Sequence, residues 1–508
     1  MTILLQRGQA AIQSQNFAEA LGWFEKAAEH NPKDAQAKAC LGQTLCWLGR
    51  RTEGIAYLRQ AGQLLTKKAR KTGDISLMLG LTEQLQFWND YQGALDLGRQ
   101  AVQINPSVVR GFQLLALTYS RLNQSQSALA AGRQAARLSP DSAMLQILLA
   151  TLEIAEKHYE AARQRLEKVL QLTLTPEERF RAHKELARIL DKVGAYDQVF
   201  AHLHASAQVS GSVPEVQKQD AALVPNLIKT YRAGFDRGLL TRRSAAEFPE
   251  DQPAPVFLIG FMRSGTTLTQ EVLASHPEVF VADETDLIVA IRDELERISG
   301  AQGTIPERLR RIDLPEIMHL RQFYWNRART LHGEQRGQRL LVDKTTMNTI
   351  DLGLIHCVFP DAKVIFVMRD PRDVCLSCFM QTMIPNPSTV HLLSWRGTAE
   401  FYALIMDWWM TMKERITMDF IEFRYEDAIA QFEPTFRKVF EFLGLSWDPA
   451  VADFHKRAAK KYINSPSFSQ VAQPLYSSSV ARWRHYQREF EPIADVLQPF
   501  VMAFGYEL

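Results

Sequence analysis

A pattern of small residues returning every 34 positions constrains this 508-residue chain more than any other feature. Gly8, Ala20, Phe24, Ala27 and Pro32 set the frame, and Gly42, Leu58 and Ala61 repeat it. After a short insertion Ala94, Ala101 and Pro106 restate it, followed by Ala116, Tyr119, Ala128, Ala135 and Pro140. Ala150 and Ala162 open a fifth copy, and Ala187, Gly194 and Tyr196 mark a weaker sixth. Small side chains let two antiparallel helices approach closely, and a proline cannot continue the helix it follows. A unit of this length cannot bury its apolar face alone, so the copies must stack.

The period and its small, aromatic and helix-ending positions resemble those of tetratricopeptide repeats, which implies an all-α solenoid of five to six repeats over residues 1–205. The pattern fades near Ser206. SGSVPEVQ (210–217) interrupts it, a helix is predicted over about 219–235, and EFPEDQPAP (247–255) reads as extended, so 206–253 is expected to be a helical linker. From 254 to 508, short apolar runs alternate with helical stretches, the pattern of an α/β domain with a largely parallel central sheet.

Bulk properties exclude several classes of function. Fifty-nine basic residues against fifty-seven acidic ones leave a formal charge of +2, which gives no reason to expect nucleic acid as a partner. No apolar run approaches the roughly 18 residues a membrane helix needs, so no membrane span is expected. MTILLQRGQAAIQ has no basic stretch leading into an apolar one and does not read as a signal peptide. Five cysteines do not make a disulfide framework, and a cytoplasmic location fits.

The strongest local signal is PVFLIGFMRSGTTLTQEVLASHP (255–277). An apolar strand enters a glycine-bearing loop, and a helix is predicted from Thr266 to just before Pro277. Such a loop turns backbone N–H groups toward the positive end of the helix dipole, a cradle for phosphate-like anions. Gly260 and Gly265 have P-loop spacing, but Thr266 stands where the Walker lysine would be, followed by Thr267, and Arg263 supplies the cation instead. Four further apolar runs end in polar groups: 279–282 before Asp283 and Glu284, 339–342 before Asp343 and Lys344, 362–368 before Arg369, and 419–423 before Arg424 and Tyr425. In open parallel sheets ligands bind beyond the carboxyl ends of the strands, so these groups are candidates for one site.

At these residues the chain resembles the sulfotransferase superfamily, most closely the protein-tyrosine sulfotransferase branch. RSGTT after a strand, DET some twenty residues later and VMRDPRDVCLS carry the resemblance, which covers 254–508. It implies a P-loop-like domain using 3′-phosphoadenosine 5′-phosphosulfate, with the 3′,5′-bisphosphate nucleotide as product and no metal required. Arg263, Ser264, Gly265, Thr266 and Thr267 would hold the 5′-phosphosulfate, Arg369 and Ser377 the 3′-phosphate, and Tyr425 the nucleotide. Ser467 through Tyr476, with Arg482, resemble a C-terminal segment that folds over the nucleotide. Glu284 would be the general base, with Lys344 and Arg263 balancing charge on the reacting group. The chain departs from the branch at Gln381, where a further arginine is common, and at Arg482, which replaces a lysine.

The resemblance makes a protein or peptide tyrosine the preferred acceptor, bound through the repeat array, with a small phenol as another. A P-loop kinase and a non-catalytic repeat scaffold with a degenerate nucleotide-binding domain are the competing readings. Intact Arg263, Glu284, Lys344 and Arg369 count against the scaffold, and the missing lysine at 266 counts against the kinase. Other conspicuous residues have plainer readings. His276 before Pro277 reads as a helix-end cap, Cys375 and Cys378 as buried on a helix, Trp408 and Trp409 as core, and Arg372 with Asp373 as a surface pair.

Overall fold

In the computed structural model, which describes residues 2–507 apart from 251, 301 and 459–477, the chain divides into two compact units, Met1–Leu174 and Thr175–Leu508. The first unit is a run of helical hairpins. Its turns share one device: a left-handed residue two positions after the first helix and two before the second. Gln15, Gly49, Asn89, Asn123 and Lys157 occupy this position with φ of 58°, 85°, 57°, 56° and 63°. The insertion between the second and third of these lengthens one helix, Arg51–Thr72, to 22 residues; Gly73 ends it at φ 74°. Pro32, Pro106 and Pro140 each lie two positions beyond the end of a helix, as expected of residues that cannot extend one.

The repeating small residues do the packing. Ala20, Ala27, Ala61, Ala94, Ala101, Ala116, Ala128, Ala135, Ala150 and Ala162 are all fully buried. At Gly42 a Cβ would meet the carbonyl oxygen of Gly54 at 2.6 Å, so these two helices touch backbone to backbone and no side chain fits between them.

The second unit begins earlier than the sequence pattern places it. The pair Pro176–Lys192 and Tyr196–Ser210, with the left-handed turn at Gly194, obeys the repeat pattern but groups with 175–508 and not with the array. The cause is apolar packing: the ring of Phe200 lies 5.2 Å from that of Trp395 and 6.0 Å from that of Phe379. The stretch expected to be a linker is packed as well. Tyr231, in the helix Leu223–Gly234, is buried and donates to Asp351 Oδ1 at 3.0 Å, and Phe235 is buried beneath Gly353.

Five parallel strands follow: β1 (Val256–Gly260), β2 (Val279–Asp283), β3 (Leu340–Lys344), β4 (Lys363–Met368) and β5 (Asp419–Arg424), in the order β2-β3-β1-β4-β5. All five runs singled out in the sequence are strands of this sheet. β1 is buried along its whole length, which is why it reads as an unbroken apolar run. From β1 the chain passes to β2 on one side, and from β4 to β5 on the other. The loops after β1 and β4 therefore part from each other and leave a crevice at their carboxyl ends.

Candidate functional site

The β1 loop is held in shape by its own backbone. Arg263 is left-handed at φ 67° and Gly265 at φ 109°, just before the helix Thr266–Ala274. For arginine this conformation costs about 1–2 kcal/mol, strain of the kind that gathers at ligand sites. Only glycine fits at 265, because a Cβ would lie 2.6 Å from the ring of Tyr425. Thr349 fixes the base of the loop: its hydroxyl accepts from Gly260 N at 3.1 Å and donates to Gly260 O at 2.7 Å.

Five of the residues singled out in the sequence are linked here. Arg263 Nε donates to Ser377 Oγ at 3.0 Å, and Arg369 Nη1 donates to the Arg263 carbonyl at 3.0 Å. The guanidinium of Arg369 lies 5.0 Å from the centre of the Tyr425 ring, which abuts Gly265. The register explains the last contact: Met368 pairs with Arg424, so Arg369 and Tyr425 leave the sheet side by side. Ser377 reaches Arg263 from the helix Pro371–Met380. Oγ of Ser264 and Nε of Arg369 are buried with no hydrogen-bond partner among the described residues. Buried polar groups left this way are costly, and an anion with several oxygens would satisfy both.

A second cluster forms at β2 and β3. Asp283 and Lys344 are register partners, and buried Lys344 donates to Glu284 Oε1 at 2.5 Å and Asp283 Oδ1 at 3.2 Å. Burial alone would lower the lysine pKa, but the two carboxylates outweigh it and hold the ammonium above its ordinary value. Glu284 is left-handed at φ 49°, and its N–H donates to the Lys344 carbonyl at 2.8 Å, so backbone as well as charge aims the carboxylate. Thr266 Oγ1 and Thr346 Oγ1, 3.0 Å apart, tie the loop to the segment after β3. Thr267 is buried in the same helix turn.

Three further expectations concern Arg482, the Arg372–Asp373 pair, and Ser467 with Tyr476. Arg482 is engaged by Asp191 in the 176–192 helix, with Nη2 to Oδ2 at 2.5 Å and Nε to Oδ1 at 3.0 Å, so its charge is balanced there. Arg372 and Asp373 are not a surface pair: both are buried, Arg372 pairs with Asp370 at 2.8 Å, and Asp373 accepts from Trp483 N at 2.9 Å. Arg369 Nη2 is also 3.9 Å from Asp373, whose carboxyl is nevertheless pushed up to about 6, chiefly by burial. Ser467 and Tyr476 lie outside the described residues.

Other residues have settled roles. His276 is buried, its Nδ1 accepting from Glu278 N at 3.2 Å and its Nε2 lying 3.0 Å from the Ser446 carbonyl, so both nitrogens are occupied by backbone. Cys375 and Cys378 are buried on the 371–380 helix, and burial pushes both thiols up. Trp408 and Trp409 are fully buried. Among the described residues, no group of three His, Cys, Asp or Glu could hold a metal, and no helix is long and apolar enough to cross a membrane.

Sequence reasoning missed Ser479, whose carbonyl accepts from Arg369 Nη2 at 2.5 Å and whose hydroxyl lies 3.3 Å from that of Tyr425. No local signal marks it. Asp191 was missed for a related reason, since it sits in a helix where a surface carboxylate would look the same.

Residues 255–449 match the model described as the sulfotransferase family, and residues 2–34 match the tetratricopeptide repeat. The chain is 26% identical over 415 residues to an uncharacterized protein of Aquifex aeolicus, covering 80% of this chain and 52% of that protein. It is 25% identical over 283 residues to nodulation protein NoeE of Sinorhizobium fredii, covering 50% of this chain and 66% of the relative. To protein-tyrosine sulfotransferase 1 of Danio rerio it is 24% identical over 307 residues, covering 58% of this chain and 81% of that one. The chain thus spans only about half the length of the Aquifex relative, at 52%.

Proposed function

We propose that this chain, which carries a tetratricopeptide repeat at its N-terminus and a sulfotransferase-family domain over 255–449, moves a sulfuryl group from 3′-phosphoadenosine 5′-phosphosulfate to a hydroxyl acceptor. The observation that carries this reading is the meeting of Arg263, Ser377, Arg369 and Tyr425 around a strand–loop–helix anion cradle, with Lys344 and Glu284 at the same edge of the sheet. Two phosphate-bearing ends of one nucleotide need two cationic places. Arg263 and the loop suit the 5′ end, and Arg369 with Ser377 suits the 3′ end. The unpartnered Ser264 hydroxyl and Arg369 Nε support the presence of anionic oxygens here.

In the reaction, the acceptor hydroxyl attacks sulfur while Glu284 takes its proton. A new S–O bond forms to the acceptor, and the bond from sulfur to the oxygen of the 5′-phosphate breaks. That oxygen departs with the bonding pair in the bisphosphate product. Lys344 and Arg263 balance the charge gathering on the departing oxygen, work that is mostly positioning and electrostatics, as in phosphoryl transfer. No metal is assigned to the step. A protein or peptide tyrosine is the preferred acceptor, engaged by the repeats, and the setting is cytoplasmic.

The direct test incubates the purified protein with donor labelled in its sulfuryl group, together with a tyrosine peptide, a small phenol or a cell extract. Label transferred to hydroxyl oxygen supports the reading. Transfer of phosphate from ATP with none from the labelled donor would replace it with a kinase.

A further inference from the structure

The 176–192 helix reaches the candidate donor site by two polar contacts two turns apart. Lys184 is fully buried, and its Nζ donates to the carbonyl of Phe379 while lying 4.6 Å from the centre of that ring. Phe379 is in the last turn of the helix Pro371–Met380, where carbonyls lack helical partners and accept from a side-chain donor. The same helix presents Ser377 to Arg263. Seven residues beyond Lys184, Asp191 takes both ends of the Arg482 guanidinium and accepts from Tyr486 OH at 2.7 Å.

The chain is held on both sides of Arg482. Trp483 N donates to Asp373, and the Trp483 ring lies 3.7 Å from the Arg372 guanidinium. Ala481 turns the backbone at φ 53°. Ser479, three residues before Arg482, lies against Arg369 and Tyr425. The 479–486 segment is therefore pinned at one end to groups proposed to bind the nucleotide and at the other to Asp191.

We propose that Asp191 is a positioning residue for the donor: by holding Arg482 and Tyr486 it fixes the segment that lays Ser479 against Arg369 and Tyr425. With Lys184 it makes the 176–192 helix part of the nucleotide-binding apparatus, although its sequence belongs to the repeat pattern. The inference rests on the donor site proposed above. Its physical basis is that a mostly buried guanidinium stripped of its carboxylate cannot stay in place without large cost, so the segment must shift.

The test uses the full chain and measures the dissociation constant of adenosine 3′,5′-bisphosphate by calorimetry, with melting of the unliganded proteins alongside. Asp191→Asn is expected to weaken binding by about tenfold, within the range for loss of a charge-assisted hydrogen bond. Asp191→Glu should recover most of the loss. In turnover assays the donor KM should rise while kcat at saturating donor stays within about twofold. Unchanged affinity in Asp191→Asn overturns the inference, even if the variant melts lower, because that is a purely structural role. So does a loss in Arg482→Gln with none in Asp191→Asn, which would mean that Arg482 touches the nucleotide itself. A wild-type protein that does not bind the bisphosphate removes the donor reading and the inference with it, and the wild-type titration alone distinguishes this failure from the other two.

Discussion

Lys344 and Glu284 are joined twice, by an ammonium–carboxylate contact of 2.5 Å and by a hydrogen bond of 2.8 Å from the Glu284 amide to the Lys344 carbonyl. The double link keeps a carboxylate and a cation at fixed separation while the Glu284 side chain stays about 36% exposed, as the proposed general base would need. Glu284→Gln preserves shape and can still accept from Lys344, but it cannot take a proton. It is expected to lower turnover by roughly 100- to 10,000-fold with donor affinity nearly unchanged. Steady-state rates with one acceptor decide this, and normal turnover in the variant would remove Glu284 from the mechanism.

The two cationic places of the proposed donor site should set nucleotide selectivity. Adenosine 3′,5′-bisphosphate is expected to raise the melting temperature, and ATP with magnesium to do little. At about 100 times its dissociation constant a ligand adds roughly 2.7 kcal/mol. A larger shift with ATP would favour a kinase.

Arg369→Ala should weaken bisphosphate binding by about 2–4 kcal/mol, since it removes a mostly buried guanidinium from a dianion. Adenosine 5′-phosphosulfate, which has no 3′-phosphate, should bind the variant and the wild type alike. Because Arg369 also holds the Arg263 carbonyl, equal losses for both nucleotides would mean that its work is to shape the loop.

Asp343, fully buried beside Lys344, accepts from Tyr324 OH at 3.0 Å. Burial pushes its carboxyl up to about 7, with Tyr324 and Thr345 countering only part of the rise. An unfolded aspartate titrates near 3.9, so the folded state holds the proton more tightly. The stability this contributes is complete below about pH 4 and is lost as the pH rises through 7. Asp343→Asn stays neutral throughout. Denaturant midpoints of the two proteins should therefore diverge between about pH 4 and 7, with the wild type losing ground, and parallel curves would show that Asp343 does not titrate there.

Truncation should distinguish the two boundaries. Removing 1–174 is expected to leave bisphosphate affinity within about threefold, because Thr175–Leu508 is a compact unit with its own core. Removing 1–205, the boundary that the repeat pattern alone would give, takes away Lys184, Asp191 and Phe200 and should abolish binding. Equal affinities for the two shortened proteins would contradict the grouping of the helix pair with the second unit.

β1 and the loop after it were legible because a parallel strand buried along its whole length reads as a continuous apolar run, here ending in a glycine-bearing loop. Ala20, Ala94 and Ala128 made the repeats legible in the same way, since a buried small residue at each helix crossing leaves a mark on sequence. The division between the units was not legible. Ala187, Gly194 and Tyr196 satisfy the repeat pattern, and what draws their helices into the second unit is Lys184, Asp191 and Phe200, with partners at Phe379, Arg482 and Trp395. A local pattern records how a helix pair folds on itself, but carries nothing about a partner 291 positions away. Asp373, read as half of a surface pair, was misjudged for that reason.

The strand order carries a consequence for how the chain acquires its structure in time. Each hairpin of the first unit meets its sequence neighbours, so it can fold soon after it is made. β1, by contrast, has no lasting partner until β3 and β4 have been synthesised, and Lys184 waits for a carbonyl 195 positions further on. During that interval an apolar strand and the apolar face of the helix pair around Phe200 stand uncovered, the condition in which nascent chains aggregate. Slowing synthesis between 260 and 363 should lower the yield of native protein more than the same delay within the first 174 residues.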